Sequence, residues 1–383
     1  MSRIWLHSGR IVTPTEIVNG GSVLIDDGVI AKVTDGTGPP PDRVDEAVDL
    51  AGGPVLPGFI DLHVHGGGGA TFDDGRDSIA TGLATHRANG TTRSLISLVT
   101  ASPDDMEMAV RAAADHAADD PFVLGLHLEG PFLSVDRRGV HDPRSLRHPD
   151  PVLLQRLLRA GEDRVKVVTI APELPGGLDL LRQVVDATGH AAIGHSDAGY
   201  DIARRAFEAG ADLVTHAFNG MRPIHHRDPA IMGAAMDAVV VFEAVNDGVH
   251  LHEATVRLLR AIAPGRVALI TDAMAAACAP DGTYRLGAFD VRVTHGQARL
   301  ADGTIAGSTL TMGVAVQRAV RIVGMPLVDA ANAASLVPAT YLGVGDRFGS
   351  IQPGRAGDLV FPDAEFNVRA VMVGGRWLDA RRP

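Results

Sequence analysis

Residues 59–65 read FIDLHVH, a short apolar run that ends in two histidines separated by one valine, and it is the first of eight strand candidates. Seven more short apolar runs follow, most of them β-branched and succeeded by a helical stretch. Strands that alternate with helices predict a parallel sheet, and eight such units in about 290 residues predict a closed (β/α)8 barrel of the α/β class. The other runs are TTRSLISLV (91–99), FVLGLHLE (122–129), VKVVTIA (165–171), AAIGH (191–195), ADLVTH (211–216), VVVFEAV (239–245) and VALITD (267–272).

The stretches between these runs carry signals for the start and the end of helices. Ser102 followed by Pro103 predicts a helix with a serine N-cap and a proline at its first position. Three amphipathic stretches, 149–161, 177–189 and 254–265, each end at a glycine. Residues 280–307 break the alternation, and we expect them to form a hairpin inserted after the eighth strand.

The two ends of the chain resemble each other and differ from the middle. Two apolar runs flank Asp27-Gly28, and two more flank Gly374-Gly375, which is typical of β-hairpins. We therefore expect residues 1–56 and 349–383 to build a small β-sandwich domain together. Residues 57–348 would then form the catalytic barrel with its inserted hairpin.

Composition excludes several classes of protein. The 383 residues contain 35 Lys and Arg against 46 Asp and Glu, a formal net charge of −11, which argues against nucleic-acid binding and a basic membrane surface. The single cysteine, Cys278, excludes an intramolecular disulfide and a cysteine zinc cluster, and we expect it to be buried. We find no apolar run of 18 residues and no signal peptide, so we expect a cytoplasmic protein.

Ligand-type side chains stand at the ends of five predicted strands. In such a barrel the functional groups lie at the C-terminal strand ends, and residues two apart on a strand face the same side. A lone histidine there usually only packs, but five such ends together indicate a metal site. Imidazole and carboxylate without thiolate suit zinc or a similar metal, which lowers the pKa of bound water to about 7. The residues are His63, His65, Glu129, His195, His216 and Asp272.

Two other histidine positions have different expectations. His127 shares a strand face with Glu129, and we expect it to support the ligands rather than to bind the metal. His225 and His226 fall in a predicted loop, where we expect a solvated role.

These residues lie in segments that resemble the amidohydrolase superfamily and, within it, the N-acetylglucosamine-6-phosphate deacetylases. The resemblance covers nearly the whole chain in the family's order, and HLEGPF, THAFN and AGSTLTM are the specific parts. The segments are PGFIDLHVHG (57–66), GLHLEGPFL (125–133), GHSDA (194–198), THAFNGM (215–221), NDGVHL (246–251), LITDAM (269–274), AGSTLTM (306–312) and GSIQPGRAGDLV (349–360).

The resemblance implies a metal centre with one or two divalent ions. Glu129, His195 and His216 would hold the main metal. His63 and His65 match a pair that varies in the family, and members that keep it can bind a second metal with Glu129 as the bridge. Zinc is the expected metal, with iron and manganese as alternatives. We also expect a homodimer, in which a neighbouring subunit can contribute phosphate-binding groups.

The resemblance further implies hydrolysis of the acetamide of N-acetyl-D-glucosamine 6-phosphate, in amino-sugar catabolism or cell-wall recycling. Metal-bound hydroxide would attack, and Asp272, also a metal ligand, would act as general base and then acid. His141 would contact the acetamide carbonyl. The family usually has alanine at position 220, a change we expect to matter little because the contact there is through the backbone. The implied substrate-binding residues are His141, Asn219, Gly220, Arg227, His250 and Met312.

Two alternatives remain open. Another amidohydrolase acting on a cyclic or acylated amide would typically bridge two metals with a carboxylated lysine at the end of the fourth strand, but Lys166 begins that strand. A non-enzymatic barrel scaffold should have lost ligands, whereas this chain retains the full set.

Overall fold

The computed structural model describes residues 2–36 and 41–383, which divide into two compact units. The first unit comprises Met1–Asp61, His86–Arg93 and Thr311–Pro383, and the second comprises Leu62–Thr85 and Ser94–Leu310. The strands are β1 (Arg3–Val12), β2 (Ile17–Asp26), β3 (Val29–Thr34), β4 (Glu46–Asp49), β5 (Pro54–Pro57), β6 (Phe59–Asp61), β7 (Gly66–Gly67), β8 (Ala70–Thr71), β9 (Thr91–Val99), β10 (Val123–Glu129), β11 (Val165–Ile170), β12 (His190–Ile193), β13 (Leu213–Val214), β14 (Val241–Val245), β15 (Val267–Ile270), β16 (Gly282–Leu286), β17 (Phe289–Thr294), β18 (Gln297–Arg299), β19 (Leu359–Pro362), β20 (Val368–Val373) and β21 (Arg376–Trp377). The α-helices are α1 (Arg76–Arg87), α2 (Pro103–Asp119), α3 (Pro151–Ala160), α4 (Gly177–Thr188), α5 (Tyr200–Glu208), α6 (Ala230–Asp237), α7 (Glu253–Ile262), α8 (Met312–Arg318), α9 (Leu327–Ala334) and α10 (Leu336–Tyr341).

Eight strands form the barrel sheet, in the order β15, β14, β13, β12, β11, β10, β9 and β6. From β9 to β15 each strand pairs in parallel with the next. The segments that follow β6 and β15 also meet: the Asp272 N–H donates to the His63 carbonyl at 2.8 Å, and the His65 N–H donates to the Ala273 carbonyl at 2.8 Å. These bonds close the sheet, so the predicted (β/α)8 barrel is confirmed.

Helix ends in the barrel follow the local sequence signals. Ser102 caps α2 by accepting a hydrogen bond from the Asp105 N–H, and Pro103 is the first helical residue. Helix α4 ends at Gly189, whose φ of 83° lies in the left-handed region that glycine favours. Helix α7 ends at Ile262, three residues before the glycine that was expected to end it.

Strands from both ends of the chain form a second eight-stranded sheet, in the order β21, β20, β19, β5, β1, β2 and β3, with β4 on β1. Strand β5 pairs with β1 on one side and with β19 on the other, and so joins the N-terminal strands to the C-terminal ones. Asp27 and Gly28 both have positive φ, as the predicted tight turn requires. The apolar side chains of both ends share one core, which contains Ile4, Leu6, Ile11, Val23, Ile25, Ile30, Leu50, Val55, Ile351, Leu359, Phe361, Ala370 and Met372.

Three details differ from the sequence-based expectations. The insert holds a three-stranded antiparallel sheet, β16 to β18, because a second turn at His295-Gly296 adds a strand to the hairpin. Cys278 is exposed rather than buried, since it follows the buried stretch 271–277 at a loop position. Residues 311–348, which were expected in the barrel domain, group with the first unit. The predicted domain bounds, 1–56 with 349–383 and 57–348, stay a prediction.

Among residues 2–36 and 41–383, no helix combines the length and the apolar character that a bilayer span requires.

Candidate active site

Six side chains that the sequence analysis singled out converge at the C-terminal end of the barrel strands. Three of them, His195, His216 and Asp272, follow their strands in a left-handed backbone conformation, with φ of 46°, 27° and 49°. This conformation costs a non-glycine residue roughly 1–2 kcal/mol, and such strain persists where the surrounding structure fixes it, often at functional sites. The buried set is His63, His65, Glu129, His195, His216 and Asp272.

Glu129, the last residue of β10, is the centre of the first group. Its Oε1 lies 3.0 Å from the Nε2 atoms of both His195 and His216, and these two Nε2 atoms are themselves 3.0 Å apart. The Nε2 of His141 lies 3.6 Å from Glu129 Oε2 and 3.3 Å from His195 Nε2. Three imidazoles therefore surround one carboxylate.

His63 and His65 form a second group with the same glutamate. Their Nε2 atoms are 2.9 Å apart. They lie 3.6 Å and 3.3 Å from the Glu129 carboxylate oxygens, and 3.6 Å and 3.5 Å from Asp272 Oδ1. Glu129 thus belongs to both groups.

All four strand-end histidines are held at Nδ1. The partners are the Arg137 carbonyl for His195 at 2.8 Å, the Asn219 carbonyl for His216 at 3.2 Å, the Ser97 carbonyl for His65 at 3.2 Å and Glu243 Oε2 for His63 at 3.1 Å. Carbonyl and carboxylate oxygens only accept, so each Nδ1 donates its proton and each Nε2 is the nitrogen that a metal would bind in place of a proton. Metal-binding histidines are oriented in this way.

The converging nitrogens and carboxylates fit a divalent metal. Nε2 atoms about 3 Å from one another and from the Glu129 carboxylate must share either a proton or a cation, and a cation can replace such protons. Two ligands at about 2.0–2.1 Å from a tetrahedral cation stand roughly 3.4 Å apart, close to the distances measured here. Two groups can hold such an ion, one with His63, His65 and Glu129, the other with Glu129, His141 and His195.

Neighbouring charges shift the pKa values of the site. Burial lowers the pKa of His65, but hydrogen bonds to Asp272 and Glu129 outweigh it and raise that pKa to about 9. Burial raises the pKa of the Asp272 carboxyl, yet the hydrogen bond to His65 and the charges of the neighbouring histidines hold it well below its ordinary range. Burial lowers the pKa of His141 to about 3, and the charge of His195 acts in the same direction. At neutral pH Asp272 is therefore ionised and His141 is neutral.

A cavity of about 230 Å³ opens beside these residues. His250 borders it between two carboxylates, with Nδ1 2.7 Å from Asp247 Oδ2 and Nε2 3.6 Å from Asp272 Oδ2. The polar lining includes His65, Glu129, His195, His216, Asn219, His250 and Asp272, and the apolar lining includes Val99, Val140, Leu286 and Ile305.

Gly220 also lines the cavity, and the structure constrains it more than the sequence suggested. Its φ is 58°, and a Cβ there would lie 3.0 Å from His195 Nδ1 and 3.1 Å from His195 Cε1. An alanine at this position would therefore press on a strand-end histidine as well as contribute its backbone.

Three residues of the predicted substrate-binding set, His141, Arg227 and Met312, are not among the residues that line the cavity. His141 lies next to two lining residues, Glu129 and His195. Arg227 is exposed and borders a separate depression beside Tyr200. Met312 is buried at the start of α8, in the first unit. Their substrate-binding roles stay predictions.

His127 supports its neighbours, as the strand pattern indicated. Its Nδ1 lies 3.0 Å from Ser97 Oγ and its Nε2 lies 2.8 Å from Thr169 Oγ1. Its ring meets the ring of His63 edge-on, with 4.5 Å between centroids. Both of its nitrogens are therefore occupied by protein hydroxyls.

Two carboxylates of the site were missed at the sequence level. Glu243 contacts His63, and Asp247 contacts His250. A signal existed for Glu243, because it is the single charged residue inside the apolar run VVVFEAV. Asp247 stands in the NDGVHL segment without a pattern of its own.

Comparison with known proteins finds relatives that match nearly the whole chain. The model of the amidohydrolase family matches residues 55–378. The N-acetylgalactosamine-6-phosphate deacetylase of Escherichia coli O157:H7 is 35% identical over 377 residues, covering 97% of this chain and 98% of that protein. The N-acetylglucosamine-6-phosphate deacetylase of Vibrio furnissii is 34% identical over 337 residues, covering 86% of this chain and 84% of that protein.

A solved structure of a deacetylase is also similar to this chain. It holds a variant of the N-acetyl-D-glucosamine-6-phosphate deacetylase of Mycobacterium smegmatis in complex with N-acetyl-D-glucosamine 6-phosphate. That chain is 40% identical to this one, with a TM-score of 0.93 over 99% of this chain and 100% of the other.

Proposed function

This chain belongs to the amidohydrolase family, and we propose that it hydrolyses the acetamide of N-acetyl-D-glucosamine 6-phosphate to D-glucosamine 6-phosphate and acetate. The observation that carries the proposal is the convergence of four Nε2 atoms on the Glu129 carboxylate beside a cavity with an ionised aspartate. This arrangement suits attack of water on an amide far better than a scaffold that only binds partners.

The cation that fits this donor set, most simply zinc, activates water and polarises a carbonyl when it is bound. Glu129, His195 and His216 would hold the main ion, and His63 and His65 a second one bridged by Glu129. The Asp272 carboxylate accepts a proton from water and then passes it to the departing amine nitrogen. Its low pKa keeps it in the accepting form at neutral pH.

His141 polarises the acetamide carbonyl in this proposal. The side chain is buried beside Glu129 and His195, and burial keeps it neutral. A neutral imidazole donates one N–H without adding a charge that would compete with the metal. Its position at 3.3 Å from His195 brings that donor next to the metal-binding group.

The phosphate would be bound by groups on one side of the cavity. His250 and the backbone at Asn219-Gly220 line the cavity of their own subunit. Arg227 is exposed outside it, and a guanidinium fork suits a phosphate well. We therefore propose a homodimer in which Arg227 reaches the phosphate of the neighbouring subunit.

The cytoplasmic location stays a prediction.

A second substrate has support of its own. The relative from Escherichia coli O157:H7, which this chain covers nearly completely, is named for N-acetylgalactosamine 6-phosphate. That sugar differs from the first only in the configuration at carbon 4, far from the amide. Both epimers must therefore be assayed.

A carboxylated-lysine enzyme is disfavoured by the position of Lys166. This residue is the second of β11, and its Nζ donates to the Asp163 carbonyl at 2.9 Å at the start of the strand. Glu129 belongs to both candidate metal groups and would take the bridging role instead.

The test measures acetate release from N-acetylglucosamine 6-phosphate, N-acetylgalactosamine 6-phosphate and unphosphorylated N-acetylglucosamine, each with and without a chelator. We expect release from the phosphorylated glucosamine derivative that stops on chelation and returns with added metal. Faster release from the galactosamine epimer would reassign the substrate. No release from any of the three, in protein shown to contain metal, would overturn the proposal.

A further inference from the structure

Glu243 is a buried carboxylate to which none of the functional roles above applies. It is the middle residue of β14 and is 1% exposed. The strand comprises Val241–Val245, and its four other residues are apolar. The carboxylate therefore interrupts an otherwise apolar strand. Burying a carboxylate is costly unless partners compensate it, so its contacts should explain why it is there.

The carboxylate of Glu243 contacts two residues of the candidate metal centre. Its Oε2 accepts a hydrogen bond from His63 Nδ1 at 3.1 Å and from the His216 backbone N–H at 3.0 Å. His63 lies 180 positions away in the chain, on the far side of the sheet closure. One oxygen atom therefore fixes the imidazole of one strand end and the backbone of another.

The bond to His63 sets which nitrogen of that ring can bind a metal. Because the carboxylate accepts the Nδ1 proton, Nε2 is the nitrogen that faces Glu129 and Asp272 and is placed to bind a metal. His63 belongs to the group with His65 and Glu129 and not to the group with His141 and His195. Glu243 therefore contacts the side chain of a proposed ligand of one metal position only, and it touches the other position through the backbone of His216.

The charge of Glu243 points to the same position. Three carboxylates lie within 3.6 Å of His63: Glu243 at Nδ1, and Glu129 and Asp272 at Nε2. No lysine or arginine is among the described residues that line the cavity. One divalent cation balances two of three negative charges, so the third favours a second cation.

We propose that Glu243 is a positioning residue that creates the second metal position, by fixing His63 with Nε2 free to coordinate and by supplying the extra negative charge. A neutral acceptor would keep the hydrogen bonds but not the charge, and a shorter acid would keep the charge but not the reach. The inference rests on the proposed metal-dependent function, yet its test counts metal ions and needs no substrate.

The experiment compares wild-type protein with Glu243→Gln. Metal-free protein is titrated with Zn²⁺ by calorimetry, and bound zinc is counted by mass spectrometry after dialysis. Mutation of an outer hydrogen-bonding partner of a ligand typically weakens metal binding about 10- to 100-fold, and here the mutation removes the negative charge of that partner. We expect wild type to bind two ions, and Glu243→Gln to bind the first nearly unchanged and the second at least tenfold more weakly.

Two further variants make the result specific. Glu173→Gln is the matched control, since its carboxylate also accepts two hydrogen bonds, from Ser196 Oγ and the Asp197 N–H, but contacts no imidazole of the metal centre. It should bind both ions as wild type does. In a His63→Asn background, Glu243→Gln should cause no further loss of metal, because its target is already absent.

Either of two results would overturn the proposal: a wild-type protein that binds one ion only, or a Glu243→Gln protein with unchanged affinity for both. If Glu243→Gln does not fold, Glu243→Asp tests the same bond, because the shorter side chain withdraws from His63. An Asp variant that still binds two ions at wild-type affinity would likewise refute it. Failure of the acetate-release assay with two ions bound would instead count against the proposed substrate alone.

Discussion

Replacing Asp272 by asparagine tests the proton-transfer step directly. The carboxylate lies 3.5 Å from His65 Nε2 and 3.6 Å from His250 Nε2, at the cavity wall, and its pKa is held well below the ordinary range. Asparagine keeps the size of the side chain and an oxygen that can face a metal, but it cannot accept and return a proton. A positioned general base contributes about 10²- to 10⁴-fold, which corresponds to about 2.7–5.4 kcal/mol of activation free energy.

We therefore expect Asp272→Asn to lower kcat for acetate release by at least 100-fold while Glu129, His195 and His216 still retain metal. The assay is steady-state acetate release together with a metal count on the same sample. Asp212→Asn is the matched control, because Asp212 pairs with His190 at the opposite ends of the strands. A variant with full metal and near-normal kcat would show that another group moves the proton.

Three more predictions follow from particular contacts. Arg227→Ala should raise KM for the phosphorylated sugar with little effect on the unphosphorylated one, and an equal loss on both in kinetic assays would refute the phosphate role. His63→Asn should remove one metal and leave the other, measured by metal analysis, and loss of both would contradict two separable positions. Arg93→Met removes the arginine that pairs with buried Asp358, whose oxygens lie 2.7 and 3.3 Å from the guanidinium. This substitution should lower the free energy of unfolding by about 3–5 kcal/mol, which is measured as a lower urea midpoint. An unchanged midpoint would show that the ion pair does not stabilise the fold.

The order of strands and helices could be predicted because its signals are local. A β-branched apolar run such as residues 91–99 specifies a buried strand by its own composition, and all nine residues are buried in the barrel. Asp27-Gly28 specifies a tight turn by its own backbone preferences, and both residues have positive φ. The third strand of the insert was missed because the turn at His295-Gly296 is a weaker signal, with one histidine held at φ 51°.

The site could be predicted in its residue types but not in its pairings. Histidine and carboxylate at strand ends are visible in the sequence, and a barrel gathers strand ends at one face whatever their spacing in the chain. The exposure of Cys278 and the separation of Arg227 from its own cavity are not visible there. Both depend on how loops are arranged over the strands, which no short pattern encodes.

Local patterns along the chain thus fix the alternation of elements, the Asp27-Gly28 turn and the residue types proposed to bind a metal. The folded barrel adds the contact between Glu243 and His63, the place of Glu129 in both histidine groups and the left-handed backbone of three strand-end residues. These features arise because the sheet closes. It brings together side chains up to 180 positions apart, and their hydrogen-bond partners are fixed by that contact rather than by their neighbours in the chain.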